Sequence, residues 1–345
     1  MKIAVLGAGS WGTALAAVFA RNGHETYLWA RCARMVDEIN QHHRNRRYLG
    51  EAELPVGLRA SVDLESVLAG AEIVLYVVPS AAMAEVLVST RSLLPPECML
   101  AHAVKGFDPA SHRRMSTLMQ DLTGWPPERV CAITGPSHAE EVIACLPTTI
   151  VAASTCRSTA EQLQDALMNS SLRVYTNPDI VGAEIGGSLK NIIALAVGVA
   201  DGLGFGDNAR AALMTRGMAE IIRLGVRLGA AAMTFAGLSG IGDLIVTCTS
   251  QHSRNFRAGR MIGRGMTLDE SLRHVGMVVE GVTTTRVAVA LAAECEVEMP
   301  ITSALHAVLF EGKNPSHAVE ELMGRARSHE IEEVAIEGAV PQWLH

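Results

Sequence analysis

The chain has 345 residues, 49% of them apolar, 19% charged and only 4% aromatic, with a formal net charge of −7. That length suggests two domains, and an acidic balance without a polybasic stripe argues against a nucleic-acid partner. Scarce aromatics with abundant Ala and Gly favour close helix–helix and helix–sheet packing over a β-sandwich.

Met1-Lys2 leads straight into Ile3–Gly7. No apolar secretory region with a cleavage site intervenes, so a cytoplasmic location is expected. The first predicted strand is Lys2–Leu6, followed by Gly7-Ala8-Gly9-Ser10-Trp11-Gly12 and a helical pattern over Thr13–Arg21. This is G-x-G-x-x-G between a strand and a helix. Gly7 suits the tight turn, Gly9 allows close approach to a pyrophosphate, and Gly12 allows helix and strand to pack. The helix N-terminus adds exposed N–H groups for the anion. The competing reading is a glycine-rich turn without a ligand. The second strand, Glu25–Ala30, ends at Arg31, where an NAD site usually carries a carboxylate for the ribose. An arginine there suits a 2′-phosphate. NADP(H) is therefore favoured, with NAD(H) possible. The cluster of His42, His43, Arg44, Arg46 and Arg47 reads as a solvated loop or helix end, with a phosphate contact as the alternative.

Further strands are predicted at Ile73–Val78, Met99–Val104, Val130–Thr134, Thr148–Ala153 and Arg173–Thr176, with a helix over Ala81–Leu94. Alternation of this kind predicts an α/β fold with a Rossmann-type, doubly wound parallel sheet. Lys105-Gly106 and Gly135-Pro136-Ser137 each follow a strand. Ligands sit beyond the carboxyl ends of such strands, so Lys105 and Ser137 are expected at the crevice.

From about Val181 strand-like runs give way to Ala/Leu/Gly/Met segments, including Val181–Ala200, Ala209–Leu228, Phe256–Arg264, Leu268–His274, Val282–Ala293 and Ser303–Leu309. The reading is a dinucleotide-binding domain over 1–180, then an all-helical substrate and catalytic domain over 181–345. Mean hydropathy is +0.22, but Glu72, Pro79, Lys190, Asn191 and Asp201 interrupt the apolar runs. A membrane span needs about 20 consecutive apolar residues, so none is expected.

Lys190 lies inside the apolar helix Ile185–Val197. It either snorkels outward or serves proton transfer, and its neighbour Asn191 also needs a partner. Gly240-Ile241-Gly242-Asp243-Leu244 sets an acid between glycine turns; Ser253-Arg254-Asn255-Phe256 offers a helix cap and a phosphate-binding arginine. The seven cysteines, Cys32, Cys98, Cys131, Cys145, Cys156, Cys248 and Cys295, have no C-x-x-C spacing. Neither a disulfide framework nor a metal site is expected.

Taken together, the glycine motif, Val77-Val78-Pro79-Ser80, Lys105-Gly106, Gly135-Pro136-Ser137-His138-Ala139-Glu140-Glu141, Leu189-Lys190-Asn191, Gly240–Leu244, Ser253-Arg254-Asn255 and Val279-Glu280-Gly281 resemble the bacterial type of NAD(P)-dependent glycerol-3-phosphate dehydrogenase. The segments occur in family order over roughly residues 1–325. The resemblance implies reversible reduction of dihydroxyacetone phosphate to sn-glycerol 3-phosphate, a phospholipid precursor. It implies Lys190 as general acid/base and Lys105 and Asp243 as its polar partners. Arg254 and Asn255 would hold the substrate phosphate, with Gly135 and Ser137 lining that pocket and Ser253 a further candidate for substrate binding. Ser10, Trp11, Arg31, Tyr48, Lys105, Ala139, Arg254, Val278 and Glu280 would join Gly7, Gly9 and Gly12 at the coenzyme. A homodimer through the helical half is a further expectation. The tail after Arg327 lies outside the matched segments. A hydroxyacid or ketopantoate-type dehydrogenase is a second reading, for which the phosphate ligands would be redundant. A non-catalytic nucleotide sensor is a third, for which a buried lysine would be redundant.

Overall fold

The computed structural model describes residues 1–325; the tail after Arg327 lies outside the described residues. These residues divide into two compact units, one ending at Ile180 and the other starting at Val181.

The first unit runs β1 (Lys2–Leu6), α1 (Ser10–Arg21), β2 (Glu25–Trp29), α2 (Ala33–His42), α3 (Arg46–Leu49), β3 (Leu58–Ser61), α4 (Leu64–Leu68), β4 (Ile73–Tyr76), α5 (Met83–Thr90), β5 (Met99–His102), α6 (Met115–Thr123), β6 (Val130–Thr134), α7 (Ala139–Ile143), β7 (Thr148–Ala153), α8 (Arg157–Leu167) and β8 (Leu172–Asn177). The strands form one sheet ordered β3-β2-β1-β4-β5-β6-β7-β8. Its first six strands have the Rossmann order, which reverses direction between β1 and β4. Every residue of β4, β5 and β6 is buried, as expected where both faces of a sheet are covered. Ile3, Val5, Leu15, Phe19, Leu28, Ile73 and Leu75 belong to one core cluster.

Two features depart from the expected sheet. β7 runs antiparallel to β6, whereas every other pair is parallel. The cause lies in the connection. The five residues of α7 advance only about 7.5 Å, less than half of the roughly 17 Å covered by a five-residue strand. The chain therefore starts β7 near the end where β6 finished. The eleven residues of α8 span about 16 Å and restore a parallel crossover to β8. The second departure is β3, Leu58-Arg59-Ala60-Ser61, which the sequence pattern did not announce. It is an edge strand with one large apolar side chain. The Asn40 carboxamide of α2 steadies it, donating to the Ala60 carbonyl (3.0 Å) and accepting from the Ala60 N–H (2.8 Å).

The second unit is helical: α9 (Ile180–Gly202), α10 (Asp207–Arg227), α11 (Asp243–Thr249), α12 (Arg254–Gly263), α13 (Leu268–Val275), α14 (Glu280–Glu294), α15 (Pro300–Phe310) and α16 (Pro315–Met323). Among the described residues α9 alone is long and apolar enough to cross a membrane, yet 89% of its apolar window is buried inside the fold. Its crossing with α12 explains that burial. Gly198 and Gly202 on α9 meet Gly259 and Gly263 on α12 so closely that a Cβ at any of the four would overlap the other backbone. The backbones can touch only because both helices repeat glycine every fourth residue. Elsewhere a buried carboxylate replaces a local cap: Glu220 of α10 accepts from the Ile301 N–H (2.5 Å), the Thr302 N–H (3.1 Å) and the Thr302 hydroxyl (2.8 Å) at the start of α15.

Gly259→Val places a branched side chain against the Leu195 carbonyl. We expect a loss of about 3 kcal/mol, the upper range for overpacking, read as a lowered thermal midpoint. An unchanged midpoint would show that α9 and α12 do not approach this closely.

Candidate active site

In the first unit the glycine motif occupies the end of β1 and the start of α1. Gly7 has φ +119°, and its N–H bonds the Trp29 carbonyl (3.1 Å). A Cβ at Gly7 would overlap the Val77 carbonyl, and one at Gly12 would overlap the Gly7 carbonyl. The turn is thus pressed against the chain leaving β4, at the point where strand order reverses. Gly9 is the N-cap of α1, and no side chain caps that helix or puts an acid in its first turn. Uncapped helical N–H groups with room for close approach fit a dinucleotide pyrophosphate. Ser10 and Trp11 open α1. Arg31 is exposed just past β2. Tyr48 lies in α3, with the Arg47 guanidinium 5.4 Å from its ring centre. Ala139 is the buried first residue of α7.

The ends of β5 and β6 carry a second cluster. Lys105 Nζ donates to the Gly135 carbonyl at 3.0 Å and lies 3.5 Å from Ser137 Oγ, which itself donates to the same carbonyl (3.0 Å). Gly135 has φ +102°, and a Cβ there would press on Ile150 Cα at 3.2 Å. Only glycine suits this turn, and the turn is what brings Lys105 and Ser137 onto one carbonyl.

In the second unit Lys190 does not snorkel. It is 4% exposed and Asp243 1%. Lys190 Nζ forms an ion pair with Asp243 Oδ1 and donates to Thr247 Oγ1 at 2.7 Å. Thr247 in turn donates to the Asp243 carbonyl (2.6 Å). Asp243 and Thr247 are one helical turn apart, so α11 offers both to the ammonium from one face. Asp243 does not lie between loose glycine turns: Leu238–Gly242 forms a π-helical turn that runs directly into α11. Gly186, one turn before Lys190, lets that turn pack on α9, since a Cβ there would overlap the Ser239 carbonyl. The surroundings are poorly solvated. Burial pushes the neighbouring Cys248 thiol up to about 12, with the Lys190 charge lowering and the Asp243 charge raising it.

The same helix continues the polar chain. Asn255 Nδ2 donates to Asn191 Oδ1 (2.9 Å), and Asn255 Oδ1 accepts from the Gly281 N–H (2.9 Å). Asn191 thus has its partner, and the residue beside Lys190 is tied to the N-terminal turns of α12 and α14. This uses the Asn255 amide oxygen and one of its two donors internally. Ser253 caps α12, accepting from the Phe256 N–H (3.2 Å). Arg254 is the first residue of α12 and Glu280 the first of α14; Val278 is exposed just before the Val279 N-cap. The sequence reading missed Thr247, whose signal is its four-residue offset from Asp243 on a helix. No group of three or more potential metal ligands occurs among the described residues.

Comparison with known proteins places the chain in a family. Residues 2–160 match the family model of the NAD-dependent glycerol-3-phosphate dehydrogenase N-terminus, and residues 179–320 match that of its C-terminus. A glycerol-3-phosphate dehydrogenase [NAD(P)+] from Shouchella clausii is 52% identical over 96% of this chain and 98% of its own. The crystal structure of a glycerol-3-phosphate dehydrogenase from Coxiella burnetii, 41% identical, matches with a TM-score of 0.90 over 94% of this chain and 98% of its own. A ketopantoate reductase from Ralstonia eutropha, 17% identical, shares only the fold, with a TM-score of 0.59 over 94% of this chain and 100% of its own. The chain is an enzyme and belongs to the NAD(P)-dependent glycerol-3-phosphate dehydrogenase family.

Proposed function

We propose that this enzyme reversibly reduces dihydroxyacetone phosphate to sn-glycerol 3-phosphate in the cytoplasm, prefers NADP(H) to NAD(H), and supplies glycerophospholipid synthesis. The observation that carries this reading is the buried Lys190–Asp243–Thr247 cluster, linked through Asn191 and Asn255 to the start of the helix bearing Arg254. Bound NAD(P)H, held by the residues named below, would supply a hydride to the ketone carbon and leave negative charge on the ketone oxygen. Lys190 Nζ gives that oxygen a proton, and in the reverse direction removes one from the alcohol. Asp243 and Thr247 hold the ammonium where it must act, and the poorly solvated surroundings strengthen its field. Arg254, Ser253 and Asn255 hold the phosphate, a remote handle whose binding orients the carbonyl. Lys105, Gly135 and Ser137 are proposed as further substrate contacts. Gly7, Gly9, Ser10, Trp11, Gly12, Arg31, Tyr48, Lys105, Ala139, Arg254, Val278 and Glu280 are proposed for the coenzyme, with Arg31 preferring the 2′-phosphate. The helical unit is proposed to mediate a homodimer.

The direct test follows absorbance at 340 nm with dihydroxyacetone phosphate and either NADPH or NADH. Oxidation should be rapid with this ketone and slow with unphosphorylated dihydroxyacetone. Equal rates on both would remove the phosphate pocket from the argument, and a preference for NADH would remove the role of Arg31.

Lys190→Ala should lower kcat by about 10²–10⁴-fold while coenzyme affinity stays near that of the wild type; near-normal turnover would end its assignment as acid/base. Arg254→Ala should raise KM for the phosphorylated ketone about 10–100-fold, the value of a charge-assisted hydrogen bond, and an unchanged KM would take it out of the phosphate site.

Stability offers an independent check on the buried pair. Asp243→Ala should cost about 3–5 kcal/mol by stranding the ammonium. The double variant Lys190→Met, Asp243→Leu should lose clearly less. A double variant as unstable as the single one would mean that charge burial is not what makes the pair sensitive.

A further inference from the structure

Asn45 belongs to none of the catalytic or binding sets above. It lies between α2 and α3 and is fully buried (0% exposed), although its neighbours Arg44, Arg46 and Arg47 are charged. Both donors of its carboxamide are used. Nδ2 donates to the Ala8 carbonyl at 3.0 Å and to Thr13 Oγ1 at 2.8 Å. Its Oδ1 is buried without a hydrogen-bond donor among the described residues. A buried amide with an unsatisfied acceptor is unfavourable, so an apolar residue would be expected here if filling space were the only need.

The two acceptors define what the donors do. Ala8 is the residue between Gly7 and Gly9 of the coenzyme turn. The peptide joining Ala8 to Gly9 is planar and trans, so its C=O and N–H point in opposite directions. A donor fixed on the Ala8 oxygen therefore fixes where the Gly9 N–H points. It also turns the Ala8 oxygen, which would repel an anion, towards the protein. A hydrogen bond on the carbonyl side polarises the peptide and strengthens its N–H as a donor. Thr13 secures the other end of the turn, because its own N–H bonds the Gly9 carbonyl (3.0 Å). The contacts close a ring: Asn45 to Ala8, Ala8 to Gly9, Gly9 to Thr13, and Thr13 back to Asn45. The Asn45 carbonyl meanwhile accepts from the N–H groups of Tyr48 (3.1 Å) and Leu49 (2.9 Å), and so starts α3.

We propose that Asn45 is a positioning residue for coenzyme binding: its carboxamide aims the Gly9 N–H at the coenzyme pyrophosphate and couples the glycine turn to the helix that carries Tyr48. The proposal rests on the glycine turn being the pyrophosphate site. Asn45 acts through the Ala8–Gly9 peptide, so its loss weakens coenzyme binding and leaves the ketone site intact.

The test titrates the full-length protein with NADH and with NADPH, without ketone, following quenching of tryptophan fluorescence. Asn45→Asp preserves size but sets a carboxylate oxygen against the Ala8 carbonyl. Kd for both coenzymes should rise about tenfold or more, the value of a buried hydrogen bond lost to an uncompensated charge. Coenzyme KM should follow, and KM for dihydroxyacetone phosphate should stay within about twofold, the scatter expected of a site not touched. Thr13→Val removes one acceptor from the ring and should raise Kd by a smaller factor, about threefold. Leu163→Ala, a core truncation on α8, should lower the thermal midpoint without changing Kd. A wild-type Kd in Asn45→Asp would overturn the proposal. If Asn45→Asp does not fold, Thr13→Val decides, and an unchanged Kd there overturns it. A Kd that rises equally in Leu163→Ala would reduce Asn45 to a plain structural contact and also overturn it. Failure of the wild type to bind either coenzyme would instead overturn the coenzyme reading on which the proposal stands.

Discussion

An ammonium buried in the middle of an apolar helix needs a counter-charge, and much of the helical unit follows from that need. Taking Lys190 out of water alone would cost several kcal/mol, and at 4% exposure it cannot reach solvent as a snorkelling lysine does. Asp243 meets the need, but only because the π-helical turn before it lies flat on α9 at Gly186. Thr247 completes the hold from the next turn of α11. The charge and the glycines are therefore one arrangement. Without close packing the carboxylate would not reach the lysine, and without the carboxylate the lysine would not stay inside.

The same helix is held along its length by two other kinds of contact. Glycines at 198 and 202 bring α9 onto α12 backbone to backbone. The Asn191–Asn255 bond then joins the two helices close to Lys190, and Gly281 attaches α14 to the same amide. This accounts for a composition that resembles a membrane span: α9 is enclosed by helices on several sides and has almost no water-facing surface to make polar. Ser188, Lys190 and Asn191 point into a packed interior where each has a partner. A rigid base of this kind suits the proton transfer proposed for Lys190, which is sensitive to small errors in distance.

The first unit meets a different constraint with the same material. The pyrophosphate site proposed for the glycine turn relies on backbone N–H groups, so the peptide planes themselves must be oriented. Gly7 and Gly12 remove the side chains that would keep the turn away from the chain after β4. Asn45 and Thr13 then hold what remains. Lys105, fixed on the Gly135 carbonyl, shows the same economy at the ends of β5 and β6, where a positive-φ glycine decides what the side chain can reach.

The alternation of short apolar strands with helices, the glycine motif after Leu6 and the loss of strands after Asn177 were legible because each follows from local periodicity or local turn chemistry. The nomination of Lys190 was legible too, as a charge where the pattern demanded an apolar residue. Its fate, snorkelling or buried, was not, because that depends on a carboxylate 53 positions away. The edge strand β3 escaped notice since it has little apolar surface to announce it, and the antiparallel β7 depended on how far the short α7 could carry the chain. Asn255 illustrates the limit: the family resemblance makes it a substrate ligand, but that its amide oxygen also accepts from the Gly281 N–H is a tertiary contact no local pattern announces. By itself, then, the sequence determined the two fold types, the glycine turn and the identity of the charged residues, all properties of neighbouring positions. Tertiary structure alone decided which distant polar groups satisfy one another, because a buried donor must be matched in space, and proximity in space is set by packing.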